Sequence, residues 1–158
     1  MELLEVESHV LTSRDGVRIV YYEGGNPEGQ PIILSNGLGG NIEAWNDLVH
    51  YFSEKYRILS WDYRGLYQSG PSDDMGGYAL NRHVEDLEDL VEHLGLTNYL
   101  LIGWSMGCQV NFEFCRTHAD AIAGVVAING TTGRPFHTFV GRKTIDDVIE
   151  QVLPPVLG

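Results

Sequence analysis

Three short strand-like runs limit what this chain can fold into: "PIILSNG" (31–37), "YRILSWD" (56–62) and "YLLIGW" (99–104). The first is continuously apolar, the pattern of a strand buried on both faces. Each run precedes a segment with helical spacing. Ile42, Trp45, Leu48, Val49 and Phe52 predict a helix over 42–54. Leu80, Val84, Leu87, Val91 and Leu94 predict one over 78–94, with Gly95 at its C-terminal stop. A third helix is expected over 106–118 and a further strand at "AGVVAIN" (123–129). Ahead of the series, 6–12 and 17–23 read as a hairpin turned at Asp15-Gly16. Strands alternating with helices in this way imply an α/β fold, a mostly parallel sheet with helices on both faces. Beyond it, "TTGRPFHTFVGRK" (131–143) reads as a loop, and "TIDDVIEQVL" (144–153) as a short helix capped by Thr144.

Charge narrows the partners. A formal net charge of −12 over 158 residues argues against nucleic acid or an anionic membrane, since both require a basic face. No window approaches the ~18 apolar residues of a membrane span. The N-terminal "MELLEVESHV" carries acids where a signal peptide needs positive charge. Cys108 and Cys115, two turns apart on one helix, are too far apart for a disulfide and read as buried thiols, which fits a reducing cytoplasm. Glu85, Asp86, Glu88, Asp89 and Glu92 lie opposite the apolar stripe of 78–94 and are expected to face solvent. No H-x-x-x-H or C-x-x-C spacing occurs, so neither a metal nor a cofactor is expected.

The chemistry centres on "GWSMG" (103–107), which joins the strand 99–104 to the helix 106–118. A serine on a tight strand-to-helix turn adopts a strained backbone and lifts its Oγ clear of the sheet, so the residues two before and two after it must be small. Gly103 and Gly107 meet that demand around Ser105. A second piece, "SNGLGG" (35–40), ends the strand 31–37. Acyl transfer needs two N–H donors for its oxyanion, one from the residue after the nucleophile and one from a loop after an earlier strand. Met106 and Leu38 are the candidates, with Asn36 and Gly37 shaping the loop. A dinucleotide fingerprint would need glycine at Ile42, so "GLGGNI" fails it.

A third piece, "WDYRGLYQSGPS" (61–72), ends the strand 56–62. Together the three resemble the α/β-hydrolase fold family, in which an H-G-x-x-G-like oxyanion loop, a D-x-R-G-x-G-x-S loop and G-x-S-x-G follow in this order. The resemblance implies a serine hydrolase acting on a small ester, lactone or related acyl compound through an acyl-enzyme, with Trp104 a candidate wall of the substrate pocket. Cofactor-free haloperoxidase, carbon–carbon hydrolase and acyltransferase activities stay open on the same fold. Haloalkane dehalogenases and epoxide hydrolases carry aspartate where Ser105 stands, which argues against them. Two residues depart from the pattern. Asn36 replaces the usual histidine, so an amide is expected to support the loop. Tyr67 replaces the second glycine of the D-x-R-G-x-G motif, which suggests a different path after Gly65. Asp62 and Arg64 match and read as loop-organising residues.

The resemblance also implies an acid and then a histidine on loops after later strands. Here 123–129 ends in Asn129, Gly130 and Thr131. His9, His50, His83, His93 and His118 fall in strands or helices and read as surface or half-buried. His137 is the best placed, and Asp146 and Asp147 read as solvated. The expected division is 1–131 as the N-terminal part of a hydrolase domain, its sheet stopping after about the sixth strand, and 132–158 as the start of a cap. The rival reading is a non-catalytic partial domain or gene fragment, with self-association through the uncovered edge of "AGVVAI" (123–128).

Overall fold

The computed structural model describes residues 6–130, so 131–158, with His137, Asp146, Asp147 and the expected cap, lie outside the described residues. Strands β1 (Glu7–Thr12), β2 (Arg18–Gly25), β3 (Pro31–Ser35), β4 (Arg57–Trp61), β5 (Tyr99–Trp104) and β6 (Ile122–Ile128) form one sheet in the order β1-β2-β4-β3-β5-β6. The hairpin β1–β2 and the pair β2–β4 are antiparallel, while β3–β4, β3–β5 and β5–β6 are parallel. Helices α1 (Asn46–Phe52), α2 (Leu80–His93) and α3 (Met106–His118) make the crossovers. Among the described residues no helix is long and apolar enough to cross a membrane.

The two-residue period of the strands divides the core cleanly. Val20, Ile32, Leu34, Ile58 and Ile102 pack with Val49 of α1 on one face. On the other, Ile19, Ile33, Leu59, Trp61 and Leu101 meet Leu87 and Leu90 of α2 and Val110 and Phe114 of α3. α2 ends as its sequence predicts. Gly95 takes φ +59°, and the N–H groups of Gly95 and Leu96 donate to the carbonyls of Glu92 and Val91 (3.1 and 3.0 Å). That pairing is the Schellman stop, which a residue without Cβ adopts at least cost.

Four expectations need correction. The helix over 42–54 divides into a 3-10 turn (Ile42–Trp45), capped by the Asn41 side chain, and then α1. Trp45, at φ −106° and ψ 6°, leaves helical geometry while its indole is anchored on Asn36 (2.6 Å). The helix over 78–94 starts at Leu80, after a separate 3-10 turn (Met75–Tyr78) that Asp74 caps. The acidic face is not all solvated. Asp86 is fully buried and takes two hydrogen bonds from the Arg64 guanidinium (2.6 and 2.9 Å). An amphipathicity argument sees charge on a helix and cannot see the arginine a loop brings to it. His83, expected at the surface or half buried, is likewise buried, its ring 4.8 Å from that of Tyr63.

β3 positions the site. From it the chain crosses first to β4 on one side and later to β5 on the other, which makes the C-terminal end of β3 a topological switch point. In open α/β sheets the loops that diverge at such a point leave a crevice where ligands bind.

Candidate active site

Ser105 sits at the mouth of that crevice, exposed, at φ +53° and ψ −113°. A non-glycine residue in this conformation carries strain of order 1–3 kcal/mol and persists only where its surroundings over-determine it. Here the Ser105 N–H donates to the Ile128 carbonyl of β6 (3.0 Å), and its carbonyl accepts from the Cys108 N–H (3.1 Å). The flanking glycines are required sterically. A Cβ on Gly103 would stand 2.7 Å from Asn111 Nδ2 and 2.8 Å from the Cys108 nitrogen. One on Gly107 would stand 2.0 Å from the Ser35 carbonyl oxygen and 2.8 Å from that of Asn36. The elbow thus lies directly against the end of β3.

The loop after β3 is a tight turn. The Gly40 N–H donates to the Gly37 carbonyl (2.9 Å), and Gly39 takes φ +76°, as the third position of a type II turn demands. Leu38, between them, is 76% exposed, and its N–H has no hydrogen-bond partner among the described residues. Met106 opens α3, so its N–H is one of the donors a helix leaves unpaired. Ser35 and Gly103 are register partners on adjacent parallel strands, and Leu38 and Met106 each follow three residues later. Trp104 lies beneath the turn, its ring about 3 Å from where a Cβ on Gly37 or Gly40 would stand (2.9 and 3.0 Å). The same tryptophan lines a cavity of about 340 Å³ with Ala44, Trp45, Asp47, Leu48 and Ile128.

Asn36 supports the loop as an amide can and an imidazole could not in the same way. Its Nδ2 donates to the Trp61 carbonyl (2.7 Å) and Ser60 Oγ (3.3 Å), and its Oδ1 accepts from Trp45 Nε1 (2.6 Å). Its carbonyl accepts from the Tyr63 hydroxyl (2.6 Å), and burial pushes that phenol well above its ordinary pKa. The loop that follows β4 is equally fixed. Arg64 bridges Asp86 and Asp15 (2.6 and 2.8 Å), and the Asp86 bond holds the guanidinium protonated. Asp62 Oδ2 accepts from the Tyr22 hydroxyl (2.9 Å) and the Gln68 N–H (3.1 Å), while burial raises its carboxyl. Tyr22 is itself pushed up to about 12, chiefly by burial and then by Asp62. Tyr67 lies on the path after Gly65. It adopts φ +47°, the left-handed backbone a glycine would supply, and its hydroxyl donates to the Gly39 carbonyl. Sequence reasoning missed that bond and the Tyr63 bond to Asn36 because each joins segments 27 or 28 residues apart, and it missed the Trp45 bond because that one depends on how the chain turns back after β3.

The described histidines stand elsewhere. His9 stacks on Tyr21 (5.2 Å), His93 meets the edge of the same ring (6.0 Å), and His118 stacks on Phe114 (4.2 Å). His50 is exposed on α1 and His83 is buried against Tyr63. None is hydrogen-bonded to Ser105, and no group of three His, Cys, Asp or Glu among the described residues could hold a metal ion. Cys108 is buried and Cys115 half buried, both as free thiols; burial raises both, and Cys108 Sγ donates to the Gly103 carbonyl (3.1 Å) beneath the elbow.

The sequence model of the alpha/beta hydrolase fold family matches residues 30–153, which takes in both loops and the elbow. The chain belongs to that family. It is 30% identical over 127 residues to proline iminopeptidase of Xylella fastidiosa, covering 79% of this chain and 40% of that protein. It is 26% identical over 132 residues to epoxide hydrolase 3 of Xenopus tropicalis, covering 84% of this chain and 36% of the relative. The chain therefore spans about two fifths of the length of these curated relatives. Among solved structures, an alpha/beta hydrolase from Novosphingobium aromaticivorans superposes with a TM-score of 0.74 at 26% identity, over 80% of this chain and 45% of that one.

Proposed function

We propose that the protein is a serine hydrolase of small esters, lactones or related acyl compounds, with Ser105 as nucleophile. The observation that carries this reading is the strained, exposed Ser105 between two glycines that no larger residue could replace. Oγ attacks the acyl carbon and passes its proton to a base. The carbonyl oxygen, now negative, is received by the N–H groups of Met106 and Leu38. Collapse expels the alcohol, which takes the proton back, and water then hydrolyses the Ser105 ester by the same route. The base and its orienting acid come, in this proposal, from outside residues 6–130.

Bond chemistry favours acyl over epoxide substrates. A serine that opened an epoxide would form an ether, which water cannot cleave under these conditions, whereas acyl attack leaves a hydrolysable ester. An acyl substrate is therefore compatible with the kinship to a protein named as an epoxide hydrolase, because the nucleophile decides which adduct can turn over. The cavity beside Trp104, the residue before Ser105, is walled mainly by apolar side chains; Ser105 is not among them, so the cavity bears on the acyl group as a neighbour of the elbow. Free Cys108 and Cys115 support a reducing, cytoplasmic setting.

A fluorophosphonate probe tests the assignment. It is expected to phosphonylate the purified protein at Ser105, located by peptide mass spectrometry, and to leave Ser105→Ala unlabelled. Labelling at another residue, or equal labelling of the variant, overturns it.

A further inference from the structure

We propose that Tyr67 is a positioning residue that clasps the oxyanion loop from its outer side, an inference that rests on the nucleophile reading above. Tyr67 is 57% exposed, so burial does not explain why a bulky residue occupies a left-handed conformation. Its neighbours hold it there. The Gln68 N–H is taken by Asp62 Oδ2 (3.1 Å), and the Gln68 carbonyl accepts from the Arg18 guanidinium. The N–H groups of Leu66 and Ser69 close onto the carbonyls of Tyr63 and Leu66 (2.9 and 3.0 Å), and that of Gly65 onto Gly70 (2.8 Å). Strain enforced from both sides aims the phenol at one atom, the Gly39 carbonyl oxygen.

That atom belongs to the peptide whose other end, the Gly40 N–H, closes the turn on Gly37 (2.9 Å). With Tyr67 in place the Gly39–Gly40 peptide is held at both poles. Otherwise the outer side of the turn has little support among the described residues. The Leu38 side chain is largely exposed, and a Cβ on Gly39 would find nothing within 4 Å. Trp104 backs only the inner side, at Gly37 and Gly40. An oxyanion donor works by being fixed before charge develops, so a turn free to rock would lose part of its effect. The hydroxyl of Tyr67 removes that freedom without touching the substrate.

Tyr67→Phe keeps the ring and the strain and deletes only the bond. Tyr67→Gly deletes the bond and relieves the strain. Saturation kinetics of Ser105 phosphonylation are expected to show, for both variants, a limiting rate about tenfold lower with the same half-saturation concentration, less than the roughly 10²–10³-fold cost of deleting a donor outright. Tyr67→Gly is expected to melt no lower than the parent, so that rate and stability part company, and amide exchange at Leu38, Gly39 and Gly40 is expected to quicken in both variants. Parent-like limiting rates and exchange in both variants, with Ser105→Ala unlabelled, overturn the clasp and leave the nucleophile standing. A change confined to half-saturation also overturns it, because it marks Tyr67 as a probe contact. Absence of Ser105 labelling in the parent overturns both readings.

Discussion

Gly107→Ala sets two physical arguments against each other. Local propensity favours the variant, since alanine in a helix is better than glycine by about 1 kcal/mol. Packing opposes it. The new methyl would lie 2.0 Å from the Ser35 carbonyl oxygen, 2.6 Å from the Ser35 carbonyl carbon and 2.8 Å from the Asn36 carbonyl oxygen. All three are main-chain atoms at the end of a buried strand, so no rotamer change relieves the contact. Restoring an ordinary carbon–oxygen separation of about 3.5 Å requires α3 and β3 to part by more than an ångström. Overpacking of this kind costs about 1–3 kcal/mol, and the stiffness of the obstacle places Gly107→Ala at the upper end. After the propensity gain the net loss is about 1–2 kcal/mol, a fall in Tm of about 2–8 °C for a chain of this size. Gly107→Val meets the same atoms with two more methyl groups and falls further. The assay is thermal unfolding followed by circular dichroism, confirmed by a urea midpoint. A Tm for Gly107→Ala equal to or above that of the parent would refute the contact between elbow and β3.

Arg64→Met strands the Asp86 carboxylate in the core and should cost about 3–5 kcal/mol in urea unfolding, with Arg64→Lys recovering only part because lysine lacks the fork. His83 is held down to about 4 by burial first and Arg64 second, so the unfolded chain takes up a proton near pH 6.5 that the folded one refuses. Stability attributable to this histidine is therefore complete above pH 6.5 and declines as pH falls toward 4, by about 3 kcal/mol. Asp62, raised by burial, works in the opposite sense, so the check is a difference. Between pH 7 and 4, His83→Phe should gain on the parent by that amount, and parallel pH profiles would contradict it. β6 ends the sheet among the described residues and leaves Val125, Val126 and Ile128 exposed, so residues 1–158 expressed alone should self-associate in sedimentation velocity, less so with Val126→Lys. A monodisperse parent monomer contradicts that expectation.

Features whose physics is local were legible in the sequence. Gly103 faces atoms of its own elbow and the first turns of α3, and Gly95 states a backbone conformation within one residue; Gly107 was legible from its place in the motif, although the atoms that forbid a side chain there belong to Ser35 and Asn36. The continuous apolar run of β3 betrays its burial on both faces. Features whose physics is tertiary were not legible. Asp86 reads as surface charge until Arg64 is placed beside it, and Trp45 interrupts a regular helical pattern because its indole is anchored on Asn36, nine residues earlier. The bond from Tyr67 to the Gly39 carbonyl joins two loops 28 residues apart, and the left-handed conformation that allows it is held by bonds to its neighbours. The exchange of histidine for Asn36 was visible as a change of chemistry, but its four hydrogen bonds were not.

The meeting of α3 and β3 through Gly107 has a further bearing. Main chain lies against main chain there, with no side chain in between that substitution could lengthen or shorten. The separation between the elbow and the turn after β3 is therefore a dimension of the scaffold, insulated from sequence change at the surrounding positions. Residues such as Ala44, Leu48 and Ile128 can vary in size and polarity and redraw the neighbouring cavity while that dimension stays fixed. In the proposed hydrolase the walls of that cavity can therefore change without moving the elbow.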